Sequence, residues 1–454
     1  MELTQNFLIK NLKSPIVAII VFIFSAGTLI LFQTDSGGKN LFMFVCIVSS
    51  YYSYHNLGNT YWRQISKGVL VGFATLLFLF LIIQTIKAAT TDAEFDFMCF
   101  YMQGLLGVHK LSFYDPHSFT VLLEKIPFHY PFTNNFKLEI LDVGLLSPPI
   151  TMLFFAPFAS LDYHTSRIII SILIFTFIII TAMLANVVFI KNEKSIYSFL
   201  FIFIIEMLIP GTNETIGLNQ TNFFILFFLM LVLKNINEPI AGVYLALSLI
   251  VKPISGILIL FFIINKNWKS LIYFFITGAF LIFITAIIWG FQNFIDFLNS
   301  PPTKRLPQFL YEQNINQSLI AVLNRNLQIL GISQNIINIL FFLAAAILVL
   351  LTCVSSKYLC KINPILSFFP FLLCMVMIYP SSLHHYMIYL IPVIIYFLCR
   401  KETQKYSFVI ILLAMSFLRT EVFFSYLILW SFLFYVSILI FKSRGKEEIL
   451  NKLL

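Results

Sequence analysis

The sequence predicts an all-α, polytopic integral membrane protein of about 12–14 transmembrane helices, and three observations predict it. Of its 454 residues 59% are hydrophobic and 11% are charged, whereas soluble chains carry roughly 25% charge. Apolar runs close to the ~20 residues needed to span a bilayer recur along the whole length. The basic residues gather in alternate short loops, the pattern that the positive-inside rule requires of a multispan chain.

Taken in order, Lys10 and Lys13 precede an apolar run at about 15–32. No small-residue cleavage site precedes Asp35, so this run reads as a retained helix and not a signal peptide. Runs at about 41–54 and 68–87 lead to a long polar segment, Thr91 to Pro149. Ile150 to Leu161 is apolar but short and carries Pro157, so it reads as an in-plane or re-entrant helix. Further runs follow at about 167–190, 196–210, 221–234, 239–251, 253–265, 268–290, 336–355, 363–379, 386–399, 406–418 and 421–441. With both termini in the cytoplasm, the inner loops take Lys191, Lys194, Lys234, Lys266, Lys357, Lys361, Arg400 and Lys401. The net charge of +9 is therefore a topology signal and not the footprint of a nucleic-acid partner. Of the six cysteines only Cys99 falls in a long outer loop, so no disulfide framework is implied. The 53 phenylalanines read as lipid-facing bulk. One membrane domain, 1–454, is expected. It carries extra helices over 1–67, a first large outer loop at 91–149 and a second at 291–335.

Lys252-Pro253 constrains this arrangement. Lys234 and Lys266 both belong inside, yet one apolar stretch joins them, interrupted only at Lys252-Pro253. Two short helices with an outer turn there satisfy both, and proline enforces the break because it lacks a backbone donor and clashes with the preceding turn. Broken helices at membrane depth are tolerated where they line a protein cavity.

The polar islands then sort to the outer side. Asp96, with Asp92 and Glu94 beside it, is a candidate general base whose pKa neighbours would tune; the plainer reading is a solvated acid near a helix end. Lys252 is a candidate phosphate ligand, or a lysine snorkelling to the interface. His384 and His385 suit phosphate binding or acid–base work. Adjacent histidines diverge on a helix, and without a carboxylate at metal-binding spacing a metal site is not expected. Lys304 and Arg305, after Pro301-Pro302, form a phosphate clamp or a solvated face. Asn219, Gln220, Asn222, Asn316 and Gln317 offer amides to sugar hydroxyls, or caps to helices. Tyr101 and Tyr114, with Phe100 and Phe113, stack on a sugar or belong to an interfacial aromatic belt. Glu206, inside an apolar run, is a weaker candidate for a cavity wall.

An ordered set of motifs now resembles a known family. Asp96-Phe97 with Phe100-Tyr101, then Gly107 and Phe113-Tyr114-Asp115-Pro116, is similar to the first outer loop of glycosyltransferase family 87. Pro148-Pro149 leading to Ala156-Pro157, the Gly217 to Asn222 turn, Ala241-Gly242 with Lys252-Pro253, Asn316-Gln317-Ser318-Leu319, and His384-His385 continue the likeness in the same order, over roughly residues 90–400. The chain departs from it in having Phe97 where many related enzymes pair the aspartate with a glutamate, and in its extra N-terminal helices.

The resemblance implies a fold of the GT-C glycosyltransferase type and an activity like that of polyprenyl-phosphate-mannose-dependent α-mannosyltransferases. It implies Asp96 as general base, and His384 or His385 and Lys252 at the donor phosphate. The expected partners are a polyprenyl-phosphate sugar donor, a glycolipid or glycan acceptor and the lipid bilayer, with no nucleic acid. The expected place is the plasma membrane of a bacterium or archaeon, with the site on the extracytoplasmic side. No cofactor is required, because a phosphate is already a good leaving group; a divalent metal stays compatible. A flippase for lipid-linked saccharides would need polar residues on both faces, whereas here they cluster on one. An O-antigen ligase would be expected to lead its loop with arginines rather than acids.

Overall fold

The computed structural model describes residues 36–60, 62–90, 95–115, 117–118, 121–122, 147–190, 195–299, 314–399 and 422–442. Lys304, Arg305, Asp92, Glu94 and the predicted helices at 15–32 and 406–418 lie outside the described residues. The described chain is all-α, with a single isolated bridge between Asn316 and Leu383 as its only strand-like pairing.

The helices are α1 (Ser36–His55), α2 (Arg63–Thr90), α3 (Phe95–Val108), α4 (Met152–Ala159), α5 (Tyr163–Phe189), α6 (Ile196–Leu208), α7 (Pro210–Gly217), α8 (Asn222–Lys234) and α9 (Ile240–Val251). They continue as α10 (Ile259–Ile264), α11 (Trp268–Trp289), α12 (Gln292–Asn299), α13 (Leu319–Gln328), α14 (Gln334–Leu359), α15 (Pro364–Ile378), α16 (Ile391–Cys399) and α17 (Val422–Lys442). Short 3₁₀ turns at Pro149–Thr151, Pro253–Leu258 and His384–Leu390 lead into α4, α10 and α16. Ends follow local chemistry: Asp162 caps α5 by accepting from the Thr165 backbone N–H at 3.0 Å. Pro364 opens α15 at a position whose N–H has no helical partner anyway.

Among the described residues five helices, α2, α5, α11, α14 and α17, are long and apolar enough to cross a membrane alone. The pair α6–α7, bent by 70° at Pro210, passes the same test only when its two halves are taken together. The polar island after Ile209 is thus helical: proline breaks the ladder of α6, and the chain restarts at an angle that carries Gly211–Gly217 across the bundle. The remaining apolar runs fold as shorter helices.

Those short helices set the depth of the site. The 13 residues of α8 reach about 20 Å and the 12 of α9 about 18 Å, against roughly 30 Å of hydrocarbon. Lys234 and the turn after it lie at one end of this pair and Asn222 and Lys252 at the other, so neither helix is long enough to span by itself. The expected hairpin at Lys252-Pro253 forms. Lys252 is extended (φ −154°, ψ 144°), and the Ser248 and Ser255 hydroxyls meet at 2.5 Å across the turn. At the far ends the Asn267 amide donates to the Ile236 carbonyl at 3.1 Å and the Ser270 hydroxyl to the Glu238 carbonyl at 2.9 Å.

Packing sorts the helices by their surfaces. From Leu366 to Met377 every residue of α15 is buried, as is every residue of α16 from Ile391 to Leu398, so both are central. By contrast α11 and α14 expose Phe275, Ile276, Phe283, Phe342, Leu343 and Leu350, the expected lipid face. Lipid tails are as apolar as leucine, so association in a bilayer depends on close backbone approach through small residues. Gly242 provides it between α9 and α11: a Cβ there would overlap the Ser270 carbonyl oxygen and lie 2.8 Å from the Phe274 nitrogen. Gly104 does the same between α3 and α4, where a Cβ would sit 2.6 Å from the Phe155 carbonyl oxygen.

Gly242→Ala should therefore force α9 off α11 and destabilise the protein by about 1–3 kcal/mol or more. The check is thermal unfolding in detergent, with Gly278→Ala as control, since a Cβ at Gly278 meets nothing within 4 Å. The control should keep or raise the midpoint, because alanine favours helix by roughly 0.5–1 kcal/mol.

Candidate active site

Three polar clusters meet around the turn that joins α7 to α8. The first centres on Lys252, which is 6% exposed and does not reach the interface. Its ammonium donates to Gln220 Oε1 at 2.6 Å, to Asn222 Oδ1 at 3.4 Å and to the Tyr386 hydroxyl at 3.5 Å. It also lies 5.2 Å from the ring centre of Phe100 and 5.0 Å from that of Tyr386, within cation–π range of both. Gln220 passes the contact onward, because its Nε2 donates to Asp96 Oδ2. Lysine can only donate and an ionised carboxylate can only accept, so the two partners fix which way the Gln220 amide points. Asn222 is held likewise, its Oδ1 accepting from the Tyr389 hydroxyl at 3.1 Å and its Nδ2 donating to Thr215 Oγ1 at 3.3 Å.

Asp96 lies in the first turn of α3 and is partly buried. Burial raises its pKa above the ordinary aspartate value, while the Gln220 hydrogen bond and the Lys252 charge pull it back down. A carboxylate so placed is a stronger base than a free one yet keeps an anionic form beside the lysine.

The second cluster anchors the end of α2. The Arg167 Nε, at 2.8 Å, and the Asn219 Nδ2, at 3.1 Å, both donate to the Ala88 carbonyl, and Ser171 Oγ donates to Asn219 Oδ1 at 2.9 Å. Asn219 adopts φ 48°, a left-handed conformation that asparagine tolerates better than most residues. Its amide therefore serves the turn that presents Gln220. The third cluster joins Asn316, Gln317 and His384. Asn316 Nδ2 and Ser318 Oγ donate to the Pro380 carbonyl at 2.8 and 3.0 Å, and Gln317 Nε2 lies 3.2 Å from His384 Nε2. His385 is buried against the Tyr386 ring at 4.8 Å, and its Nε2 has no hydrogen-bond partner among the described residues.

Asp96, Gln220 and Lys252 thus come together, and His385 joins them around Tyr386. Tyr101 and Tyr114 serve as struts, their hydroxyls donating at 2.8 Å to the Leu161 and Ser147 carbonyls respectively. Glu206 stands apart in α6, its carboxylate accepting from Thr181, about 20 Å along α5 from Arg167. Sequence reasoning missed Tyr386, Tyr389 and Arg167. Arg167 carried the same signal as Lys252, a charge at the edge of an apolar run. Tyr386 and Tyr389 follow the histidine pair at a spacing of three, one turn of the 3₁₀ helix on which they sit. Among the described residues no group of three His, Cys, Asp or Glu side chains gathers to hold a metal.

Long apolar helices with a buried carboxylate–amide–ammonium chain between them define an integral membrane protein of all-α architecture. Residues 146–380 match the model of glycosyltransferase family 87. The match spans more than half of the chain, which therefore belongs to that family and is a membrane glycosyltransferase consistent with the GT-C superfamily. It includes Gln220, Asn222, Lys252, Asn316 and Gln317 and stops short of Asp96 and the two histidines. No curated protein and no solved structure matches the chain.

Gln220→Leu should leave Asp96 and Lys252 buried without their shared partner, at a cost of about 1–3 kcal/mol. In a double-mutant cycle with Lys252→Met the two losses should fall short of additive, because they remove one network. Thermal unfolding of the single and double variants measures this.

Proposed function

We propose that the protein transfers a hexose, mannose in the first instance, from a polyprenyl-phosphate carrier to a hydroxyl of a glycolipid or glycan acceptor on the extracytoplasmic face of a plasma membrane. The observation that carries this reading is the Asp96–Gln220–Lys252 chain, which sets a base and a cation at the two ends of one side chain within a membrane recess. Asp96 takes the proton of the acceptor hydroxyl as its oxygen attacks the anomeric carbon. The bond from that carbon to the phosphate oxygen breaks on the opposite face, so the configuration inverts. The carrier leaves as polyprenyl phosphate with one more negative charge than it had as a diester. Lys252, buried among neutral acceptors, stabilises that added charge in a low-dielectric site where it counts for most. His385, whose Nε2 has no partner among the described residues and whose ring packs against the same Tyr386 that Lys252 meets, supports the same phosphate. Gln220 and Asn222 orient the sugar and the two charged groups. A lipid-borne donor suits a site built within a helical membrane domain.

The first test is transfer of labelled mannose from polyprenyl-phosphate mannose to membrane acceptors by wild type and Asp96→Asn at equal expression. Loss of general-base help should lower kcat by about 10²–10⁴-fold. Equal rates would remove Asp96 from the reaction, and no transfer by wild type would remove this donor.

A second test uses pH. The base works only when ionised, and burial raises its pKa, so kcat/KM should fall as pH drops through that raised value. Lys252→Met deletes a charge that holds the pKa down. Its acid limb should therefore lie at higher pH than that of wild type, in addition to any loss at the plateau. An unmoved limb would separate Lys252 electrostatically from the base.

A further inference from the structure

The loop carrying His384 and His385 is tied to the segment before α13 by a small antiparallel pairing. The Gln317 N–H donates to the Ser382 carbonyl at 2.6 Å, the His384 N–H donates to the Ile315 carbonyl at 3.0 Å, and Asn316 pairs with Leu383 between them. Gln317 is fully buried in the middle of this pairing. Its Oε1 accepts from the Phe423 N–H at 2.9 Å, satisfying one of the donors that the first turn of α17 leaves without a helical partner. Its Nε2 donates to the Asn314 carbonyl and faces His384 Nε2 at 3.2 Å.

This geometry removes the usual ambiguity of an amide and an imidazole. A backbone N–H can only donate, so the Gln317 oxygen must be the atom at Phe423. A carbonyl oxygen can only accept, so the nitrogen must be the atom at Asn314. The same nitrogen therefore directs its second hydrogen at His384 Nε2, which has to accept it. An accepting ring nitrogen carries no proton, and a neutral imidazole then bears its proton on Nδ1. An imidazolium would set two N–H groups against each other.

We propose that Gln317 is a positioning residue that holds His384 as the neutral Nδ1–H tautomer. His384 then carries its proton on Nδ1; it brings no positive charge and accepts no proton at Nε2. Its neighbour His385 is under no such constraint, and the positive charge near the substrate comes from Lys252. The consequence for substrate rests on the transferase reading above; the tautomer does not.

Solid-state ¹⁵N NMR of histidine-labelled protein in lipid bilayers near pH 7 tests this without substrate. The chain has seven histidines, and the signals of His384 are those lost in His384→Gln. In wild type His384 should show a protonated Nδ1 and an unprotonated Nε2. Gln317→Glu replaces the donor with an acceptor and should put a proton on Nε2. A wild-type His384 protonated at Nε2, as the other tautomer or as the cation, overturns the proposal whether or not the variant folds. An unchanged spectrum in folded Gln317→Glu overturns it as well. Because the readout is spectroscopic, failure of sugar transfer would leave this result standing, and the wrong tautomer would leave transfer standing.

Discussion

The structure depends on keeping one buried ammonium satisfied. Lys252 is buried within a helical membrane domain, where an unpaired charge costs several kcal/mol, and nothing in its own helix hairpin offsets that cost. The compensation arrives from elsewhere in the chain: Gln220 and Asn222 from the turn before α8, Tyr386 from the 3₁₀ segment, Phe100 from α3 and, through Gln220, the carboxylate of Asp96. Each of those elements must therefore be placed to within a hydrogen-bond length. The ion pair is indirect, and Gln220 holds the two charges apart in a fixed geometry where direct contact would let them neutralise each other.

Holding four separate segments at one point in a bilayer requires exact packing without help from the hydrophobic effect between helices. The chain achieves it with close backbone contacts and with side chains that bond backbone groups freed by broken helices. Gly242 and Gly104 let α9 onto α11 and α3 onto α4. Arg167 and Asn219 converge on the Ala88 carbonyl at the end of α2, while Gln317 and Asn316 tie the histidine segment to the start of α17 and to Pro380. Polar groups at membrane depth are in this sense the fastening of the fold as well as its chemistry, which explains why several amides suited to sugar hydroxyls are engaged by the protein itself. The tyrosines behave likewise, with Tyr101 and Tyr114 spending their hydroxyls on carbonyls.

Much of this was legible in the chain. A lysine followed by proline inside an apolar stretch, flanked by basic residues that must both face inward, leaves a hairpin as the only solution, and the hairpin is there. The short helix after Pro149 follows from its length and prolines. Other features were illegible for a physical reason. Pro210 announces a break, but the polar run after it gives no sign that it continues as a helix turned by 70°, because the partners that stabilise it lie in the histidine segment far along the chain. Tyr386 and Tyr389 carry no sequence signal of their own, and only the fold turns their hydroxyls toward Lys252 and Asn222.

By itself, then, the sequence determined class and which side chains are anomalous in a membrane, since these follow from local quantities: hydropathy and the backbone chemistry of proline. Its ordered motifs also resemble the family to which the chain belongs. Only the tertiary structure decided which anomalous residues meet. That Gln220 rather than Asn219 bridges Asp96 and Lys252 depends on a one-residue difference in direction at a left-handed turn. That His384 is fastened while His385 is buried against Tyr386 depends on an amide arriving from before α13. Such pairings are set by contacts between segments 30 to 170 residues apart, for which a single sequence holds no local signal.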